Sequence, residues 1–274
     1  MNNPVGIIAG DGNLPELVVS SCVSGDIDVV VLSLDHNKTV CPSFSKVVHQ
    51  PINIAAVGKA INFLNTHQVK QLVFIGSVQR PKFSSLRPDT KGFKLITRLN
   101  KNKSKGDNGL LTTVIAFFED QGFEIIGVDQ LVSKLLAPKG HLTTITPDEV
   151  ALKDIDLGRQ VIDTLGHLDI GQSVIVQQSV VLGIEAIEGT QRLIERCSTL
   201  QQEDGPKAIL IKCKKPTQEH RIDLPTIGPD TIEQAYLAGI RGIAVQAGST
   251  LIINKEEVIE KANAYGMFVI GLEL

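Results

Sequence analysis

The segment EHRIDLPTIGPDT, residues 219–231, places the acidic side chain of Asp223 just after a group of hydrogen-bond donors. The donors that precede it and could surround an anionic group are Lys212, Lys214, Gln218 and Arg221. A carboxylate beside a bound phosphate needs a cation between the two negative charges, and Mg²⁺ held by one or two carboxylates and phosphate oxygens supplies it. The pattern makes Asp223 a candidate metal ligand or general base. An acid that caps or solvates a turn is the alternative interpretation.

A glycine-containing turn near the start of the chain could also bind phosphate. In AGDGNLP, residues 9–15, Gly10 and Gly12 would let backbone N–H groups approach a phosphate at a helix N-terminus. The spacing lacks the later glycine of GxGxxG, which disfavours NAD binding. A tight strand-to-helix turn explains the same glycines equally well.

A second loop, GSVQRPKFSSLRPD at residues 76–89, follows a buried-type strand and carries Ser77 and Arg80. An arginine fork matches the spacing of phosphate oxygens, so this loop could hold a phosphate or uracil. A surface loop with ordinary arginines is the alternative.

Two acidic residues lie at the end of a later strand, in IEAIEGTQR at residues 184–192. Glu185 and Glu188 precede a helix that Thr190 opens. Two carboxylates near a helix N-terminus can bind a divalent ion, although a favourable interaction with the helix dipole is the simpler interpretation.

These candidates need a framework, and the chain of 274 residues is long enough for two ordinary domains. In the first half, short apolar runs alternate with segments of helical spacing, which indicates βαβ units and a parallel sheet with ligands at the carboxyl ends of its strands. We expect strands at residues 5–10, 28–34, 71–77 and 123–128 and helices at residues 14–23, 54–66 and 110–121.

The second half predicts another α/β unit, with some antiparallel pairing. A helix opens at TPDE, residues 146–149, and runs to Leu165, and SVIVQQSVVLGIEA predicts a strand pair. Further strands are KAILIKC, GIAVQA, TLIIN and FVIGLEL, and further helices begin at GTQR, Pro229 and Lys255. Because residues 137–149 have little periodicity, we predict a Rossmann-like N-terminal domain at 1–138 and a C-terminal α/β catalytic domain at 139–274.

The bulk composition excludes several classes of protein. A formal charge of −3 provides no global basic field for nucleic acid, although Lys91–Lys105 is locally basic. No secretory signal opens the chain and no run reaches the ~18 apolar residues of a membrane span. We expect a cytoplasmic protein, since the cysteines show no zinc or disulfide pattern; they are Cys22, Cys41, Cys197 and Cys213.

Taken in order, these segments resemble one family. They are IIAGDGNLP, GSVQRPKFSSLRPD, KGDNGLL, GFEIIG, LDIGQSVIV, EAIEGT, KPTQEHRIDLPTIGPDT and AGSTLIIN. In order and spacing they are similar to the UDP-2,3-diacylglucosamine pyrophosphatases of lipid A synthesis, of the type unrelated to the calcineurin-like phosphoesterases. The resemblance covers nearly the whole chain.

The resemblance implies a two-domain enzyme that encloses its substrate between the domains. Such enzymes hydrolyse UDP-2,3-diacylglucosamine to 2,3-diacylglucosamine 1-phosphate and UMP with Mg²⁺, and their essential aspartate corresponds to Asp223, which would bind the metal or orient water. The candidates for holding the nucleotide, phosphates and glucosamine are Gly10, Gly12, Ser77, Arg80, Thr190, Lys212, Gln218 and Arg221.

Some positions depart from the family pattern. Amides stand at Asn108, Gln191 and Gln246, where the resemblance leads us to expect carboxylates. A nucleotide- or lipid-binding relative without catalytic activity is therefore the alternative, and an NAD-dependent oxidoreductase is a third possibility that only the first βα turn suggests. We also expect a homodimer, because two-fold oligomers are the commonest kind. A lipid substrate further suggests peripheral contact with the inner membrane through Lys91–Lys105.

Overall fold

The computed structural model describes residues 3–34, 41–78, 87–101, 106–216, 219, 221 and 224–273, without the side chains of residues 106–108. The chain divides into two compact units, residues 1–133 and 134–274. No helix within these described ranges is long and apolar enough to cross a membrane.

The N-terminal unit is built on a five-stranded sheet in the order β3-β2-β1-β4-β5. Its strands are β1 (Val5–Ala9), β2 (Val29–Leu34), β3 (Val48–Ile52), β4 (Gln71–Ile75) and β5 (Glu124–Ile125). Every neighbouring pair is parallel, which confirms the predicted parallel sheet. All six residues of β2 are buried, as expected for an inner strand covered on both faces.

Within the described residues, helices lie between these strands and after the last of them. They are α1 (Leu14–Ser24), α2 (Val57–Thr66), α3 (Thr90–Lys101), α4 (Gly106–Glu119) and the short α5 (Val128–Leu131). Helix α2 begins three residues later than predicted and α4 begins four residues earlier. The sequence prediction did not include β3 or α3.

One carboxylate joins the beginnings of α2 and α3. Asp89 accepts hydrogen bonds from the N–H groups of Gly58 at 2.7 Å and Lys59 at 3.2 Å, and from Gly92 at 2.8 Å. First-turn N–H groups have no partner within a helix, so this side chain satisfies donors of two helices at once. Gly92 permits the contact because a Cβ there would lie 2.1 Å from the carbonyl oxygen of Ala55.

The C-terminal unit contains a six-stranded mixed sheet in the order β6-β13-β11-β9-β7-β8 and a parallel pair, β10 and β12. The strands are β6 (Gly140–His141), β7 (Ser173–Gln177), β8 (Val180–Ile184), β9 (Ile209–Lys212), β10 (Thr226–Ile227), β11 (Gly242–Gln246), β12 (Leu251–Ile252) and β13 (Phe268–Leu272). Strands β9, β11 and β13 are parallel, whereas β7 is antiparallel to β8 and β9. The predicted combination of parallel and antiparallel pairing is confirmed.

Helices cover both faces of this sheet. They are α6 (Glu149–Gly166), α7 (Gly189–Ser198), α8 (Pro229–Leu237) and α9 (Lys255–Ala264). Helix α6 packs with Ile209 and Ile211 on one face, and α7, α8 and α9 pack around Leu210 on the other. Alternate residues of one buried strand thus enter two separate apolar layers.

The helix predicted to open within residues 146–149 begins at Glu149, with Asp148 as its N-cap. The Asp148 carboxylate accepts from the Ala151 N–H at 2.7 Å and from the Arg241 guanidinium at 2.6 and 3.0 Å. The hydrogen bond from Arg241, followed by that from Ala151, lowers the pKa of Asp148 to about 2.

A second acid of α6 is fully buried and holds the β7–β8 turn. The Asp154 carboxylate accepts from the N–H groups of Gln178 at 2.9 Å and Ser179 at 2.6 Å. Both turn residues have positive φ, 48° and 64°, which is the left-handed conformation of a tight two-residue hairpin turn. The carboxylate supplies partners for two N–H groups that the turn leaves outside the strand ladder.

We expect Asp154→Ala to lower the free energy of unfolding of the C-terminal unit by about 2 to 4 kcal/mol, because two N–H groups of the turn lose a charged acceptor. Urea unfolding followed by tyrosine fluorescence measures this unit alone. The chain has no Trp, and its two tyrosines, Tyr236 and Tyr265, are both in the C-terminal unit, where their rings stack at 4.1 Å.

The matched control is Asp156→Ala on the same helix. The Asp156 side chain is exposed and pairs only with surface groups, so its removal should change the free energy of unfolding by less than about 1 kcal/mol. Equal effects of the two substitutions would contradict the role assigned to Asp154.

Candidate active site

The N-terminal unit places two predicted loops together at the carboxyl edge of its sheet. The strand order reverses between β1 and β4, and such a switch point is where parallel α/β sheets bind ligands. Residues 10–12 follow β1, and Gly76 and Ser77 follow β4. The Asp11 N–H donates to the Ser77 carbonyl at 2.8 Å, and the Ser77 N–H donates to the Asp11 carbonyl at 2.9 Å.

Glycine is required at this junction because the two backbones are so close. A Cβ at Gly10 would lie 2.4 Å from the Ser77 carbonyl oxygen, and one at Gly76, where φ is +90°, would lie 2.7 Å from the Asp11 oxygen. Gly12 has a φ of +101° with open space around it, so its conformation rather than its surroundings favours glycine. The structure therefore brings Gly10, Gly12 and Ser77 together, while Arg80 lies outside the described residues.

In the C-terminal unit, strands β8, β9 and β11 end at one edge of the sheet. The candidates Glu185 and Lys212 lie at the ends of β8 and β9, and Gln246 ends β11. The Gln246 side-chain oxygen accepts from the Lys214 N–H at 3.1 Å, which joins the ends of β9 and β11. Ser173, at the start of the intervening strand β7, is paired with Lys212 in the ladder.

A buried polar cluster occupies this edge. The Lys212 ammonium donates to the hydroxyls of Thr190 at 2.6 Å and Ser173 at 3.3 Å, and it lies 3.9 Å from a carboxylate oxygen of Glu185. The Thr190 hydroxyl donates to the same carboxylate at 3.1 Å. Lys212 and Glu185 are only 4% and 7% exposed. Because buried charges are costly unless they are paired and hydrogen-bonded, each of these groups depends on the others.

The cluster joins the Lys212 ammonium to Thr190 in the first turn of α7. Two of the residues predicted to bind substrate, Thr190 and Lys212, are therefore in direct contact. The sequence analysis did not predict that Ser173 belongs to the site or that Glu185 pairs with Lys212. The position of Ser173 at the start of a buried strand was the only indication of its role that the sequence offered.

Burial raises the pKa of the neighbouring Cys213 thiol to about 12, so this group is not a thiolate nucleophile at neutral pH.

Glu188 has different partners from Glu185. Its carboxylate accepts from the Ala186 N–H at 3.0 Å and from the Arg196 guanidinium at 3.0 and 3.2 Å. A hydrogen bond from its own N–H, together with Arg196, lowers the pKa of Glu188. The described residues contain no group of three or more His, Cys, Asp or Glu side chains that could hold a metal ion.

Asp223, the candidate catalytic acid, and Gln218 lie outside the described residues. The structure does describe residues 219 and 221 before Asp223 and the chain from residue 224 onward. Before it, the Arg221 guanidinium donates to both carboxylate oxygens of Glu219, at 2.8 and 2.9 Å. After it, Pro225 is buried and its carbonyl accepts from the Leu251 N–H at 2.8 Å. The backbone is therefore anchored two residues beyond position 223.

Two family models together match almost the whole chain. The LpxI N-terminal domain matches residues 4–135, and the LpxI C-terminal domain matches residues 138–270. The chain belongs to the LpxI family. A relative from Caulobacter vibrioides, the UDP-2,3-diacylglucosamine pyrophosphatase LpxI, is 36% identical over 274 residues, which cover 98% of this chain and 97% of that protein. The family resemblance inferred from the ordered segments is confirmed.

The buried cluster gives this LpxI family member a residue whose replacement should be costly. We expect Lys212→Met to lower the free energy of unfolding of the C-terminal unit by about 3 to 5 kcal/mol, because Glu185 then lacks its counter-charge. Adding Glu185→Gln should recover part of the loss. Tyrosine fluorescence during urea unfolding measures both.

Lys261→Met is the control, since the Lys261 ammonium pairs with Glu233 at 3.1 Å near the surface. It should change the free energy of unfolding by less than about 1 kcal/mol. If Lys212→Met were as mild as this control, the cluster would not have the stabilising role given to it.

Proposed function

We propose that the protein hydrolyses the pyrophosphate bond of UDP-2,3-diacylglucosamine in lipid A synthesis, releasing 2,3-diacylglucosamine 1-phosphate and UMP. The observation that carries the proposal is the 36% identity, over 98% of the chain, to the pyrophosphatase from Caulobacter vibrioides. The reaction requires stabilisation of negative charge on phosphate oxygens, which fits the basic and hydroxyl donors at the carboxyl edge of the C-terminal unit.

Asp223 is the proposed catalytic residue and metal ligand. Three other carboxylates, those of Glu185, Glu188 and Glu219, each have a cationic partner in the structure. The chemistry of the segment fits Mg²⁺ if Asp223 supplies the carboxylate oxygen and the substrate supplies phosphate oxygens. Bound Mg²⁺ would neutralise charge on the phosphates and lower the pKa of a bound water.

The remaining site residues have distinct proposed roles. In the N-terminal unit, Gly10 and Gly12 would present backbone N–H groups, and Ser77 and Arg80 would bind the nucleotide or its phosphates. In the C-terminal unit, the proposed donors toward the phosphates and the sugar are Thr190, Lys212, Gln218 and Arg221. Lys212 and Thr190 also hold the first turn of α7, so their contribution includes positioning.

An apolar rim beside the cluster fits the acyl chains of such a substrate. The rim consists of Leu168, Ile170 and Ile187, with Leu168 69% and Ile187 101% exposed. Its two loops are in contact, since a Cβ at Gly171 would lie 2.4 Å from the Glu185 carbonyl oxygen. An amphipathic substrate needs polar donors and apolar surface at adjacent positions, and this edge of the sheet provides both.

Asp223→Ala should reduce the Mg²⁺-dependent release of UMP and sugar 1-phosphate at least about 100-fold, because a group that stabilises the transition state is lost. Substrate should remain bound to the purified variant. The control is Asp230→Ala in the exposed first turn of α8, which should retain activity.

Full turnover by the Asp223→Ala variant would contradict the catalytic role assigned to Asp223. Tight binding without turnover by the unaltered protein, under a range of divalent metals, would instead support the non-catalytic alternative that the amides Asn108, Gln191 and Gln246 suggest.

Ile187→Ser combined with Leu168→Ser should raise KM for the diacylated substrate about tenfold or more while leaving kcat nearly unchanged, because uniform apolar contacts are removed. A deacylated UDP-sugar should be hydrolysed as before. Leu237→Ser is the matched control, since Leu237 is 77% exposed at the end of α8, at the opposite edge of the sheet. A comparable rise in KM with Leu237→Ser would contradict the rim assignment.

A further inference from the structure

The outward face of α3 combines an aromatic side chain with cations. Phe93 is 64% exposed, and Lys94 and Lys101 are exposed on the same side of the helix. Gly92 and Leu95 face the opposite way and are buried. The apolar side of the helix is thus occupied by the protein's own core, and the exposed Phe93 cannot be explained by packing within the unit.

The charge of this region is opposite to that of the rest of the chain. Residues 91–105 contain six of the 27 Lys and Arg residues and none of the 30 Asp and Glu residues, so this segment carries +6 and the remainder −9. Electrostatic attraction would orient such a protein so that its positively charged segment faces an anionic surface. Repulsion would keep the anionic remainder of the protein away from that surface.

Contacts beside this face join α3 to α4 and to the turn after it. The Lys91 ammonium donates to the Gln121 side chain at 2.7 Å, and Arg98 pairs with Asp120 at 2.5 Å while lying 5.3 Å from the Phe117 ring centroid. Within the described residues, Lys94 and Lys101 have no acidic partner. Their charges are therefore available to a ligand, whereas Lys91 and Arg98 already fix the helix to α4 and the turn after it.

We propose that the outward face of α3, formed by Phe93, Lys94, Thr97 and Lys101, binds the surface of an anionic lipid bilayer. The two ammonium groups would lie against lipid phosphates, and the Phe93 ring would enter the boundary between headgroups and acyl chains. A single phenylalanine on an exposed helix face favours a bilayer over single-stranded nucleic acid, which is bound in grooves with several stacking rings.

The binding should be weak and additive. Each Lys near an anionic membrane contributes about 1 kcal/mol, or about fivefold in affinity, and insertion of one phenylalanine contributes a comparable or larger factor. Such an interaction would hold the protein transiently at a membrane and would weaken as salt screens the charges.

The test is co-sedimentation of the full chain with vesicles, without any UDP-sugar, so that it is independent of the proposed hydrolysis. Vesicles of phosphatidylcholine with 30 mol% phosphatidylglycerol (about a third anionic lipid, chosen to give a clear surface potential) are compared with pure phosphatidylcholine. We expect binding only to the anionic vesicles, and Phe93→Ala with Lys94→Gln should weaken it at least about 20-fold.

The matched control is Leu152→Ala with Lys153→Gln, which removes another exposed apolar residue followed by an exposed lysine, on α6 of the C-terminal unit. It should bind anionic vesicles like the unaltered chain. The single variants Phe93→Ala and Lys94→Gln should each weaken binding, and only the effect of Lys94→Gln should diminish at high salt.

Several outcomes would overturn the proposal. These are equal binding to both vesicle types, equal loss with the control pair, or displacement from vesicles by millimolar inorganic phosphate, which would indicate a site for free anions. Binding to heparin that is insensitive to Phe93→Ala, without binding to vesicles, would indicate a polyanion partner instead. A loss of activity with Asp223→Ala leaves this test unaffected, so failure of one proposal is distinguishable from failure of the other.

Discussion

Burial of the Lys212 ammonium is the constraint that organises the C-terminal unit. A lysine that is 4% exposed must find hydrogen-bond acceptors and a counter-charge within the protein. These come from β7, from the residue after β8 and from the first turn of α7, so four elements must be in register at the same time. The edge of the sheet that carries the proposed phosphate donors is consequently rigid before any ligand arrives, which is how an enzyme avoids reorganisation costs during reaction.

The N-terminal unit reaches a rigid edge by a different route. There, two loops are joined by reciprocal backbone hydrogen bonds between Asp11 and Ser77. The close approach depends on the absence of side chains at Gly10 and Gly76. An edge formed by backbone groups is suited to binding a ligand through N–H donors. An edge formed by charged side chains is suited to stabilising negative charge on a ligand. The two units thus present hydrogen-bond donors of different kinds at the carboxyl edges of their sheets.

Much of this architecture was predictable from the sequence. Buried strands such as VVVLSL are largely apolar runs, and the tight turn between β7 and β8 is visible as the three polar residues QQS between such runs. Strand β3 was missed because VHQPI is mostly exposed, contains a proline and has no apolar periodicity. Helix α3 was missed because its buried face is narrow, so the sequence of this segment shows mainly its charge.

The site was predictable as a set of residues but not as a network. Local patterns identified the two residues separately, Lys212 at the end of an apolar run and Thr190 at the start of a helix. Their contact depends on the order β9-β7-β8, which no local pattern encodes. Ser173, which pairs with Lys212 in the sheet and contacts the Thr190 hydroxyl, has no motif of its own. Long-range pairing of this kind is determined by the packing of whole strands rather than by any one residue.

The double cap by Asp89 has a consequence for how the sequence can change. Because the same carboxylate accepts from Gly58 on α2 and Gly92 on α3, position 58 is coupled to positions 89 and 92, which lie much later in the chain. A longer acid at position 89 would not fit against both helix ends, and an amide would replace an acceptor with a donor facing N–H groups. Single substitutions at positions 58, 89 and 92 should therefore be poorly tolerated. The segment before α3 should accept fewer neutral substitutions than most surface loops do.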